Sequence, residues 1–222
     1  IVFEVTANDE SSRAVWLGDD GILAGSKTDQ MLISSGTLSV EWVDELISIC
    51  KQKGLICFDI TLTGGRPAAE SGQLIMLAGG DEKKFDKLLP DLKAISAKVT
   101  LFGGNGAGAR YKLILNMLQA IHIEGLSEAL KLAEKSGMDT KKVGDAIAEY
   151  PGGILTERIW RLHQNPPNPI TFSVKWVDKD LHYAKMLAGD LNLPMLDDAI
   201  TKYDEAMDKD MSDEDWSSIT KI

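Results

Sequence analysis

Lys112 and Asn116 close the stretch Gly103 to Asn116, which reads Gly-Gly-Asn-Gly-Ala-Gly-Ala-Arg-Tyr-Lys-Leu-Ile-Leu-Asn. At that spacing a helix places an ammonium and an amide on one face. In a polar setting the pair would read as two surface residues. Here the positions around them, Tyr111, Leu113, Leu115, Met117 and Leu118, are apolar, so the ammonium needs a partner or a purpose. A lysine so placed can donate a proton to a carbonyl oxygen, or take one from a hydroxyl if burial lowers its pKa. A second candidate is Thr63-Gly64-Gly65, which can offer a hydroxyl and close backbone N–H groups to a carboxylate, or be an ordinary glycine turn. His122, His163 and His182 are far apart, no two of them have metal-ligand spacing, and no metal is assigned. Ser34 and Ser35 lack a nucleophile-elbow setting, which leaves hydrolase chemistry unsupported.

The elements that must position these residues fall into two kinds. Ile1 to Val5, Met31 to Ile33, Leu55 to Ile60, Leu74 to Ala78 and Lys98 to Phe102 are short, apolar and strand-like. Amphipathic helices between them, one capped by Ser39 and closed near Gly54, another from Asp81 to about Ile95, indicate a parallel sheet covered by helices. The direction of the last two strands is left open. Thr61 to Pro67 reads as a polar loop at the carboxyl end of a strand, where ligands of open α/β sheets bind. From Ala109 onward the pattern is wholly helical: one helix of about 25 residues, apolar on more than one side, and shorter helices near 139–149, 154–163, 173–190 and 195–208. The expected fold is therefore α/β: a partial Rossmann-like sheet domain over 1–108, then an all-α domain over 109–222 built on the long helix.

Gly104-Asn-Gly106-Ala-Gly108-Ala109 satisfies G-x-G-x-x-G/A between a strand and a helix. A dinucleotide fingerprint also needs a second parallel strand within about 30 residues, and that span is filled by helix. The glycines are expected instead to be a hinge between domains.

The 222 residues carry a formal charge of -10 and a pI near 4.8. Such a chain repels a nucleic-acid backbone, and no basic cluster interleaved with aromatics offsets this. No apolar run reaches the roughly 18 residues that span a bilayer. Cys50 and Cys57 are expected as reduced, buried thiols of a cytoplasmic protein.

Four motifs in order resemble those of the β-hydroxyacid dehydrogenases, the family of 3-hydroxyisobutyrate dehydrogenase and tartronate semialdehyde reductase. They are Asp59-Ile-Thr-Leu-Thr63-Gly64-Gly65, the Gly106 to Lys112 to Asn116 helix, Phe172 with Lys179-Asp180-Leu181, and Asp215-Trp-Ser-Ser. Thr63 stands where the family usually has serine and Thr61 where it has proline. The resemblance implies an NAD(P)-dependent oxidoreductase of small β-hydroxy acids or their semialdehydes, and the broadly apolar long helix leads to the expectation of a homo-oligomer, dimer or tetramer. It further implies Lys112 as general acid and base, Asn116 as an orienting amide, and Thr63, Gly64 and Gly65 as the grip on a substrate carboxylate. Lys179 would lie over cofactor and substrate, with Thr37 on the nicotinamide side. Ile1 would correspond to a strand in mid-domain, so an upstream segment carrying the pyrophosphate loop is expected. A non-catalytic scaffold and an imine reductase on the same fold are the alternatives.

Overall fold

The computed structural model describes residues 1–149 and 154–222. The chain divides into two compact units, Ile1–Ile114 and Leu115–Ile222.

The first unit is a five-stranded sheet in the order β1 (Val2–Glu4), β2 (Met31–Ser34), β3 (Ile56–Thr63), β4 (Leu74–Gly79), β5 (Ser96–Gly103). Strands β1, β2 and β3 are parallel, β4 runs antiparallel to β3, and β5 is parallel to β4. The apolar runs alternate across the sheet, so that Leu32 packs on one face with Trp16, Trp42, Val43 and Leu46, while Ile33 packs on the other with Phe58, Phe85 and Leu88. Helices α1 (Asp9–Leu17) and α3 (Val40–Gln52) supply the first layer, and α5 (Glu82–Ala94) supplies the second. Ser39 caps α3 by accepting the Trp42 N–H, as its place in the sequence suggests. A four-residue helix, α2 (Ile22–Gly25), also lies between β1 and β2.

The polar loop expected from Thr61 is corrected. Thr61, Leu62 and Thr63 continue β3 and pair with Leu77, Met76 and Ile75 of β4. Threonine is β-branched and fits a pleated strand as readily as many apolar residues do. Gly64 and Gly65, at φ 122° and 71°, make the turn that an L side chain resists, and α4 (Gly65–Glu70) follows at once.

The second unit holds most of α6 (Ala107–Lys135), with α7 (Thr140–Glu149), α8 (Ile154–Gln164), α9 (Val174–Ala188), α10 (Pro194–Asp208) and a 3₁₀ turn at Trp216–Lys221. Leu113, Ala120, Ile123, Leu126 and Leu130 bury one broad stripe of α6. The fully buried Tyr203 of α10 donates its hydroxyl to the Trp216 carbonyl at 3.1 Å, fixing the carboxyl-terminal turn. Among the described residues no helix is long and apolar enough to cross a membrane.

The glycines before α6 serve close packing. A Cβ on Gly108 would lie 2.4 Å from the Leu77 carbonyl oxygen and 2.6 Å from that of Asp59. Backbone cannot yield as a flexible side chain does, so Gly108→Ala should cost about 2–4 kcal/mol in urea denaturation. Gly104→Ala, with open space around its Cβ, should stay within about 0.5 kcal/mol.

Candidate active site

In the first unit the arrangement begins at Asp59, an acid flanked by the apolar Phe58 and Ile60 in β3. It is 2% exposed, and its carboxylate accepts the N–H of Gly106 at 2.6 Å and of Ala109 at 2.9 Å. Gly106 immediately precedes α6 and Ala109 lies in its first turn, so the carboxylate satisfies amides that a helix start leaves without partners. The Thr61 hydroxyl donates to the Gly108 carbonyl at 3.2 Å and adds a second tie. The segment read as a hinge is thus fastened to β3. It cannot cradle a pyrophosphate either, because two of its N–H groups already serve Asp59. Burial pushes the Asp59 carboxyl above its ordinary range, and the bonds from Ala109 and Gly106 oppose that rise. Lys112 follows Ala109 by less than a turn, half-buried and with a partner of its own.

Beyond the carboxyl end of β2 come Ser35, Gly36 and Thr37, and beyond the carboxyl end of the parallel β3 come Gly64 and Gly65 after Thr63. These two strand ends point the same way. Ser35 Oγ is buried and has no hydrogen-bond partner among the described residues, which fits a polar ligand arriving at this end of the sheet. Thr37 and Thr63 are half-buried, and Gly64 and Gly65 are exposed.

In the second unit Asn116 is 4% exposed and donates through Nδ2 to the Asp180 carboxylate at 2.6 Å. Asp180, 2% exposed, also pairs with Lys179 Nζ at 2.7 Å. Lys179 in turn lies over the Tyr183 ring, 4.8 Å from its centroid. One buried acid therefore joins an amide on α6 to an ammonium on α9, and a charge-assisted bond orients the amide. With Nδ2 turned to Asp180, the Asn116 oxygen and its second N–H point elsewhere. The other two motif pieces also meet: Phe172 packs on Trp216 with centroids 5.5 Å apart, and the Trp216 N–H donates to the Phe172 carbonyl at 3.1 Å. Asp215 accepts the N–H and hydroxyl of Ser217 and so caps the final turn.

Of the sequence-predicted residues, the structure thus joins Asn116 and Lys179 through Asp180, and sets Thr37 past the end of β2, Thr63 at the end of β3, and Gly64 and Gly65 just beyond it. Lys112 stands on the helix of Asn116, one turn earlier. The connecting roles of Asp59 and Asp180 escape a reading by motif. Their signal is an acid where burial is expected. His163 packs on the Trp160 ring, and burial lowers its pKa.

Both halves of the chain match parts of nicotinamide-dependent oxidoreductases. Residues 1–104 match the NAD-binding domain of 6-phosphogluconate dehydrogenase, and residues 106–222 match the NAD-binding domain of NADP-dependent 3-hydroxyisobutyrate dehydrogenase. The chain belongs to the 3-hydroxyisobutyrate dehydrogenase family. It is 30% identical to an uncharacterised oxidoreductase of Shewanella frigidimarina, over 83% of this chain and 64% of that protein. It is 29% identical to the 2-hydroxy-3-oxopropionate reductase of Escherichia coli, over 87% of this chain and 68% of that protein. The structure of Mycobacterium tuberculosis 3-hydroxyisobutyrate dehydrogenase with L-serine matches with a TM-score of 0.83 at 26% identity, covering 99% of this chain and 78% of that one.

Asp59→Ala should cost about 3 kcal/mol in urea, because two buried N–H groups lose their acceptor. Asp59→Asn keeps one acceptor, sheds the buried charge and should cost less. Since the folded pKa of Asp59 is raised, its contribution is full below the unfolded value and declines as pH rises through the folded one. Both variants should lose that downward slope in stability measured against pH, relative to the unaltered protein.

Proposed function

We propose that the protein interconverts a short carboxylate-bearing semialdehyde and the corresponding β-hydroxy acid, using NAD or NADP. The observation that carries this reading is the buried Asn116–Asp180–Lys179 network, found in a chain whose two halves match one after the other the parts of such an enzyme. A network of that kind holds an amide at a fixed angle, which is what orienting a small polar substrate requires.

In this reading Lys112 gives a proton to the carbonyl oxygen during reduction and takes it back during oxidation. The nicotinamide, when bound, supplies or accepts the hydride. Asn116, oriented by Asp180, hydrogen-bonds the substrate oxygen or carboxylate. Thr63 offers its hydroxyl, and Gly64 and Gly65 their backbone N–H groups, to the substrate carboxylate. Lys179, held in place by Asp180, is a positive charge available to cofactor or substrate. Thr37 and Ser35 meet the nicotinamide side of the cofactor, a role supported by the buried Ser35 hydroxyl, which has no hydrogen-bond partner among the described residues. A carbonyl suits this arrangement better than an imine, because its oxygen needs the proton that an ammonium provides.

We also place the protein in the cytoplasm, on its free thiols Cys50 and Cys57, and assign it a homo-oligomeric state. Ile114, Leu118 and Leu132 are 52%, 45% and 65% exposed and share one face of α6, an apolar stripe suited to a second copy. Light scattering should give the mass of a dimer or tetramer; a monomeric mass removes this assignment.

Lys112→Ala in the intact protein should lower kcat by about 10²- to 10⁴-fold. Cofactor affinity, read by fluorescence titration, should change only slightly. Undiminished turnover would take the proton-transfer role away from Lys112.

A further inference from the structure

Outside these residues, α9 and α10 bring together a second group of chemically active side chains. We propose that Asp178, His182 and Asp204 bind a divalent first-row transition metal ion, and that the ion clamps α9 to α10. Asp178 and His182 are one turn apart on α9, and Asp204 comes from α10. Their ligand atoms lie within 4.8 Å of one another. Ligands at about 2.1 Å from a zinc-sized ion sit about 3–3.5 Å apart, so small side-chain rotations gather all three.

The surroundings call for a cation. Asp178 Oδ1 is buried, without a hydrogen-bond partner among the described residues, and the His182 imidazole stands 3.5 Å from it. Every lysine on the two helices is committed elsewhere: Lys175 to Asp213, Lys179 to Asp180, Lys185 to Asp197 and Lys202 to Glu205. Two carboxylates therefore approach each other with an imidazole beside them. A divalent ion relieves this repulsion and gives the buried oxygen a partner.

The donor set indicates which ion. One imidazole with two carboxylates suits zinc, cobalt or nickel, whereas magnesium and calcium favour oxygen ligands alone. His182 and Asp204 are exposed, so water completes the coordination shell. Half of the signal is in the sequence, as an aspartate and a histidine at helical spacing. The third ligand comes only with the packing of α10 beside α9.

The test titrates the chelator-treated intact protein with zinc chloride by calorimetry, in parallel with His182→Ala and Asp204→Asn. The expected result is one saturable site per chain that weakens at least tenfold in each variant, with a zinc-dependent rise in Tm only in the unaltered protein. Both replaced side chains are exposed, and thermal unfolding without zinc verifies that the variants fold. Absence of saturable binding, or equal affinity in the variants, would overturn the proposal by placing any bound zinc elsewhere on the acidic surface.

Discussion

The structure of the candidate site depends on a buried carboxylate at a helix start. Asp59 is drawn into the sheet because β3 is apolar on both sides of it, and its charge is costly there. The N–H groups of Gly106 and Ala109 offset part of that cost. In exchange the first turn of α6 is fixed against β3, and the glycines around it let backbone approach backbone. Gly79 shows the same constraint, since a Cβ there would come within 2.6 Å of the Asp59 carboxylate. The start of the helix that carries Lys112 and Asn116 is set by this contact.

Further along the chain a second buried acid does comparable work. Asp180 turns the Asn116 amide and holds the Lys179 ammonium. In both cases a carboxylate taken out of water is justified by the donors it organises. Lys112, Thr63 and Lys179 are half-buried and Gly64 and Gly65 exposed, whereas Asn116 and the two acids are buried. Positioning and contact are thus divided between different side chains, as precise chemistry requires.

Much of this was legible in the amino-acid order. Apolar runs such as Leu55 to Ile60 announce strands, the long helix follows from its apolar periodicity, and Lys112 with Asn116 stands out by spacing. The end of β3 was less legible, because Thr61 and Thr63 look like loop residues until Leu77 and Ile75 are paired with them. The reversal of β4 was also hidden, since nothing in Leu74 to Ala78 encodes direction. The Asp59–Gly106 and Asn116–Asp180 bonds span 47 and 64 residues, so no local pattern carries them. A glycine-rich segment can mean freedom, phosphate binding or close packing, and only its neighbours decide that it is packing.

The central claim is that Lys112 passes a proton to and from the substrate oxygen while the nicotinamide carries the hydride. The most direct measurement is the pH dependence of kcat in both directions, followed by nicotinamide absorbance. Reduction of a short carboxylate semialdehyde should slow at alkaline pH as the ammonium is lost, and oxidation of the matching β-hydroxy acid should quicken over the same range. Profiles that are flat in both directions, or that persist unchanged in Lys112→Ala, would contradict the account.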